Sequence, residues 1–138
     1  MINTGVYDYI NVLDKAADGS WARNNAIANN IANIDTPNYK RKDVSFQKEL
    51  EQALRASKYT SLDEKVSELN KGNRLSHIEP RTYTDYANYS YRLDKNNVDI
   101  DNENVELASN QIVYQALVES IDAEFKNLKT VIKQERST

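Results

Sequence analysis

The chain has 138 residues and a formal net charge of −3, which argues against a dedicated nucleic-acid or anionic-membrane surface. With 39% hydrophobic and 28% charged residues it can build one modest core, and with no cysteine it has neither a disulfide framework nor a thiolate metal site. No apolar run approaches the roughly 18 residues of a membrane span, and the N-terminus lacks the basic-then-apolar pattern of a cleavable secretory leader.

From Val6 onward, apolar or small residues recur at alternating spacings of four and three: Val6, Ile10, Leu13, Ala17, Ser20, Asn24, Ile27, Ile31 and Ile34. This heptad seam predicts a first helix of roughly 30 residues, about 45 Å long, with Thr4 as its N-cap. Gly19, Ser20 and Asn24 weaken its middle, so it needs a partner to be stable. Trp21 lies beside the seam, where it serves the core or a subunit contact.

Five Asn fall in the ten positions from Asn24 to Asn33. Asn is a poor helix residue because its amide competes for nearby backbone groups, so something outside the helix must be using these amides. Pro37 has no N–H and pushes Thr36 out of the helical region, which stops the helix near Ile34 or Asp35. Thr36-Pro37-Asn38-Tyr39 then reads as a type II turn, with Pro at its second position and Asn, which tolerates positive φ, at its third. The short basic run Lys40-Arg41-Lys42 reads as a solvated turn flank.

Asp43 to Arg55 has the spacing of a short helix displaying Phe46, Leu50, Ala53 and Leu54. Ser61-Leu62-Asp63-Glu64 fits a capping box, and the helix it opens, with Val66 and Leu69, should end at Lys71-Gly72. From Asn73 to Leu93 the pattern is tyrosine-rich and weakly alternating. It predicts either a mobile loop or a β-hairpin in which Tyr89, Tyr91 and Leu93 share one side of a strand pairing with Val98 and Ile100.

Asp101 is the expected cap of a last helix whose seam runs Leu107, Asn110, Tyr114, Leu117, Ile121, Glu124, Leu128 and Val131, widened by Ile112, Val118, Phe125 and Ile132. The two terminal seams fit each other as a helical hairpin. Either the core of that hairpin accounts for both stripes, or together they exceed what one hairpin can bury and neighbouring subunits cover the rest. Asn24 and Asn110 lie on the seams, where a buried polar residue specifies register.

Little in the chain suggests chemistry. Asn97, Asp99 and Asp101 have calcium-loop spacing, but Asn102 stands where that loop needs Gly and Ala108 where it needs Glu. These acidic residues are better suited to the positive N-terminal end of the last helix. His77 is the lone histidine and reads as a surface-loop residue, and no catalytic triad or phosphate-binding glycine loop has any support, so neither an enzyme nor a bound cofactor is expected.

Two stretches carry a family resemblance. Ala28 to Lys40 resembles the A-N-N-[IL]-A-N-x-x-T-P-G-Y-K signature of the bacterial flagellar rod and hook proteins, departing only at Asn38, where the family has Gly. Asp94-Lys95-Asn96-Asn97-Val98-Asp99-Ile100-Asp101, with Glu103, Glu106-Leu107-Ala108, Asn110-Gln111 and Tyr114-Gln115-Ala116-Leu117, resembles a second block of the short proximal-rod branch, with Lys95 in place of Gly. The resemblance implies a structural subunit of the flagellar basal body rod, with Asn29, Asn30, Ile31, Asn33, Thr36, Pro37, Asn38 and Tyr39 as an assembly motif. It also implies a helix seam through Ile10, Leu13, Ile27, Tyr114, Leu117, Ile121 and Leu128. Implied partners are other rod subunits, the adaptor between membrane ring and rod, and the export gate, with extracytoplasmic location reached by type III export without a cleaved leader. Phe46-x-x-x-Leu50 is similar to the signal read at that gate and equally serves as a plain packing face. A soluble helical adaptor or export chaperone is the alternative.

The resulting expectation is a mainly α protein with long terminal helices forming a coiled-coil-like pair. Residues 1–35 and 102–138 are the helical arms, and 36–101 hold a turn, short helices and a flexible or β middle.

Overall fold

The computed structural model describes residues 4–86 and 92–135. Two long helices dominate it, α1 (Thr4–Ala32) and α4 (Ile100–Glu135), about 43 and 54 Å long at 1.5 Å per residue. Between them come β1 (Lys42–Val44), α2 (Phe46–Arg55), α3 (Leu62–Lys71), a single 3-10 turn (Leu75–His77) and β2 (Thr82–Thr84). The expected mainly helical architecture, with its long helices packed on each other, is what forms.

Opposed numbering makes the pair antiparallel: Ser20 meets Asn110, Arg23 meets Glu106 and Asn30 meets Glu103. Along the seam, Ile27 is buried, whereas Ile10, Leu13, Tyr114, Leu117, Ile121 and Leu128 are half-buried. Two helices alone cover only one stripe of each other. Full burial occurs where the middle of the chain adds a third layer, at Ala26, Ile27, Phe46, Val66, Leu69, Leu75, Ile78 and Val98. Val131 and the expected seam-widening residues Ile112, Val118, Phe125 and Ile132 are exposed.

Gly19 permits a close approach in that third layer. A Cβ at this position would fall 2.3 Å from a Phe46 ring carbon, so the buried Phe46 ring occupies the notch that the glycine leaves. α3 is tied to α1 by the Tyr9 hydroxyl donating to Asp63 and by Asn70, whose amide donates to the Asp8 carbonyl at 3.2 Å.

Several local expectations are corrected. Asp43 lies in β1, and the helix starts only at Phe46, because residues 42–44 pair antiparallel with 82–84 in the register Asp43↔Tyr83. The expected pairing of a Tyr89–Leu93 strand with Val98 and Ile100 does not form among the described residues: Val98 is buried in irregular chain, Ile100 opens α4 and Leu93 lies exposed in a turn, while Tyr89 and Tyr91 lie outside the described residues. Ser61 occupies the N-cap of α3 without making a side-chain cap bond. That helix does end at Lys71, but its left-handed residue is Asn73 (φ 53°), with Asn73 N–H on Asn70 O and Arg74 N–H on Leu69 O, the paired bonds of a Schellman motif. At α4 the cap is Asp99, whose carboxylate accepts from Asp101 N–H at 3.0 Å and Asn102 N–H at 3.4 Å, so Asp101 sits in the first turn. α1 ends at Ala32, earlier than expected, because Ile34 and Thr36 bond back three residues to Ile31 and Asn33 and tighten the exit.

Two outcomes follow from this packing. Gly19→Ala should destabilise the fold by about 1–3 kcal/mol in denaturant titration despite alanine's better helix propensity, and should become neutral or stabilising once Phe46→Ala has emptied the notch. Tyr9 has its pKa pushed up to about 12, first by the hydrogen bond to Asp63 and then by burial. A phenol raised above its ordinary value near 10 contributes stability that is whole below about pH 10 and is lost as pH rises through its folded pKa. Melting temperature should therefore fall less between pH 10 and 12 in Tyr9→Phe than in the parent.

Candidate functional site

Past the end of α1 at Ala32 the chain leaves through tight turns, in which Ile34 and Thr36 N–H bond back to Ile31 and Asn33 O. Asn96, only 1% exposed, draws these turns together: its amide nitrogen lies 2.9 Å from each of the Asn33, Ile34 and Thr36 carbonyl oxygens. Its carbonyl oxygen accepts Val98 N–H at 2.9 Å, and its own N–H donates to Asp94 at 3.0 Å. The residue is thereby held at both ends.

Two turns lie against each other around this clamp. In Thr36-Pro37-Asn38-Tyr39, Asn38 has φ 63° and Tyr39 N–H donates to Thr36 O at 3.3 Å, the geometry a type II turn requires. In Arg92-Leu93-Asp94-Lys95, Lys95 has φ 62° and its N–H donates to Arg92 O at 3.1 Å. Asn38 N–H bonds Asp94 O at 2.8 Å, and the Lys40 ammonium bonds Lys95 O at 2.6 Å. A left-handed lysine costs about 1–2 kcal/mol, which these cross-turn bonds offset.

One turn earlier on α1, Asn30 is fully buried and uses both ends of its amide. The nitrogen donates to Lys42 O at 2.8 Å and to Glu103 at 3.0 Å, while the oxygen accepts Lys42 N–H at 2.8 Å and the Tyr39 hydroxyl at 3.3 Å. Asn30 thus stands in for a neighbouring strand along the α1 side of β1. Burial, and after it the charge of Glu103, holds the Tyr39 phenol above its ordinary range, so it stays a neutral donor.

Glu103 is 1% exposed, and its carboxylate is paired with Arg41 Nε. Arg41 also reaches Asp43 at 3.2 Å and Asp85 at 3.6 Å, while Arg23 joins Asp43 at 3.3 Å to Glu106 at 2.8 Å. Burial works against the Arg41 charge, but Glu103 and Asp43 outweigh it and push its pKa upward. The cluster fastens α1, β1 and α4 together; its chemistry is cohesion. Arg41 is therefore a structural ion-pair partner, not the solvated turn flank expected from its basic neighbours.

Midway along the hairpin, Asn110 donates to Asn24 at 2.9 Å and to Ser20 O at 2.7 Å, and accepts from Ser20 Oγ at 3.1 Å. The two seam asparagines meet each other, which fixes one register between the helices.

Of the residues expected in the assembly motif, Asn30 and Tyr39 point inward at the junction, and Ile31 is half-buried. Asn33 donates to Asn29 O at 2.8 Å and accepts from Thr36 Oγ1 at 3.2 Å, while Asn29, Thr36, Pro37 and Asn38 are exposed. Phe46 is buried against α1 and Leu50 half-buried. Trp21 is 59% exposed and so is no core residue, and His77 lies exposed in the 3-10 turn. Sequence reasoning named Asn96 and Glu103 only as members of the second resemblance block and gave them no role; the signal for both was a strongly polar residue at a helix boundary.

The chain is also similar to known proteins. Residues 22–40 match the family model described as flagella basal body rod protein. The chain is 42% identical over 120 residues to the flagellar basal body rod protein FlgB of Bacillus subtilis strain 168, covering 87% of this chain and 89% of that one. It is 39% identical to the FlgB of Borrelia hermsii, over 80% of this chain and 85% of that one, and 30% identical to the FlgB of Escherichia coli K12, over 80% and 83%.

Removing the clamp should be costly in a particular order. Asn96→Ala removes the donor shared by three carbonyls, of which Asn33 O and Thr36 O keep a backbone N–H, and should lower unfolding free energy by about 1–3 kcal/mol. Asn96→Asp should lower it further near neutral pH, since an acceptor-only carboxylate would face three carbonyl oxygens; urea titration of the three proteins checks the order.

Proposed function

This chain belongs to the FlgB family of flagellar basal body rod proteins and is a structural subunit of the rod, associating with other rod subunits, and we propose that its α1–α4 hairpin is the part that carries load between them. The observation behind this is the Asn24–Asn110 layer together with the Asn30–Glu103 junction, which hold two long helices in one register at two heights. Torque applied to such a hairpin moves it as a body, where an apolar seam alone would slide. In this reading 1–35 and 102–138 are the load-bearing arms, and 36–101 brace them.

The motif from Asn29 to Tyr39 acts in assembly by building the junction: Pro37 and Asn38 set the turn, and Tyr39 and Asn30 lock it to β1. Beyond the rod itself, the partners are the adaptor between membrane ring and rod, and the export gate. Passage through that gate takes an unfolded chain and no cleaved leader. Phe46 and Leu50 serve as the signal there, and the burial of Phe46 against Gly19 means that it is readable only before folding. The role is mechanical, and no observation favours a soluble adaptor or chaperone.

Deletion of the gene in a flagellated host, followed by electron microscopy of the remaining basal bodies, tests this. A membrane ring without its rod, restored by the wild-type chain but not by a Pro37→Ala/Tyr39→Ala variant, is the expected result. Rods of normal form in the deletion strain would overturn the reading.

A further inference from the structure

The small sheet has two outer edges, and the chain closes only one of them. Ser45 N–H donates to Arg81 O at 3.1 Å and Asp85 N–H to Arg41 O at 2.8 Å, with the Asp43↔Tyr83 pair between them, so Arg81, Tyr83 and Asp85 turn their backbone groups toward β1. By the alternation of an antiparallel ladder, Lys42 on β1 and both Thr82 and Thr84 on β2 turn theirs outward. Both ends of the Asn30 amide meet Lys42 on its outer side. Asn97 bridges the end of the sheet, accepting Arg41 N–H at 2.7 Å and donating to Asp85 O at 2.9 Å. Among the described residues nothing bonds the outward backbone groups of Thr82 and Thr84, which are exposed and half-buried.

An open edge accepts another strand, and the residues along this one select which. Arg81-Thr82-Tyr83-Thr84-Asp85 is complementary to itself when two copies run antiparallel about a two-fold axis at Tyr83. Thr82 of each copy then exchanges both backbone bonds with Thr84 of the other, Tyr83 faces its own counterpart, and Arg81 of each stands across from Asp85 of the other. A parallel arrangement would instead set Arg81 against Arg81 and Asp85 against Asp85. Arg81 is exposed and makes no ion pair among the described residues. Asp85 is touched by Arg41 at 3.6 Å, and a carboxylate has acceptor positions for a second cation as well. Pro80 has no N–H, so the ladder stops at these five residues.

We propose that β2 is the contact through which two free copies of this chain pair, joining their sheets into one of four antiparallel strands. A two-fold contact closes on itself, so it is distinct from the propagating contacts of a rod and stands independently of that role. With so few residues on each side, the pairing is weak and reversible.

Because the chain has no cysteine, Tyr83→Cys introduces one thiol, which the axis places about 4.5 Å, Cα to Cα, from its counterpart, within the span of a disulfide. Tyr59→Cys, at a position of similar exposure (47% against 44%), is the control for random collision. In the purified chain under mild oxidation, Tyr83→Cys should form disulfide-linked dimers at least about tenfold faster than Tyr59→Cys. Arg81→Asp, which sets like charges across the axis, should bring that rate down to the control's. Thr84→Pro, which deletes an outward N–H and leaves the bonds to β1 intact, should do the same. Arg81 is a surface side chain, so its substitution reads the contact even if Thr84→Pro fails to fold. Equal rates for the two thiols overturn the pairing, as does a fast Tyr83→Cys rate that Arg81→Asp leaves unchanged.

Discussion

The carbonyls of the turns that follow α1 are gathered by one side chain, and the rest of the structure is arranged around seating it. Asn96 has to arrive beside Asn33, Ile34 and Thr36, so the chain before it must turn sharply, and Lys95 takes a conformation that glycine would take more easily. That turn rests on the Pro37-Asn38 turn through the Asn38–Asp94 bond. Once Asn96 is seated, Asp99 can cap α4 almost at once, and the first turn of α4 carries Glu103 to Arg41 and Asn30. A single amide thus determines where the second long helix begins relative to where the first one stops.

Much of this was legible in the chain, and what was not has a common cause. The seams were visible because their period repeats many times, and the turn because Pro37 and Asn38 have narrow backbone preferences that act locally. Even the meeting of Asn24 with Asn110 follows from their seam positions. The fate of Arg41 was invisible, because whether a guanidinium is solvated or buried depends on a carboxylate 62 residues away. The strands were missed because three residues are too few to show alternation, and β1 is held extended partly by a helix side chain, not only by a strand. Caps misjudged by two residues, as with Asp101 for Asp99, reflect equivalent side chains competing for one role.

The balance of polar and apolar burial distinguishes this fold from an oily bundle. Asn30, Asn96, Glu103 and Asn110 are as buried as Phe46 or Leu69, and each is satisfied. Buried polar groups add less net stability than hydrocarbon of equal size, yet they penalise every wrong pairing, because misalignment leaves a donor, acceptor or charge stranded. A small core with this many fixed partners is selected for one arrangement more than for raw stability. That suits a part whose geometry must repeat in every copy.

Burial along the hairpin is graded: Ile27, Asn30 and Glu103 are sealed at one end, while Ile10, Leu13, Ile121 and Leu128 are only partly covered at the other. The two helices therefore behave like the arms of a clothes peg, stiff at the spring and compliant at the jaws. Small rotations of the side chains at the open end disturb few contacts, whereas the same rotation at the closed end would break several hydrogen bonds together. A lattice built from such pegs can absorb misfit between unlike neighbours in its jaws and keep its pitch in its springs.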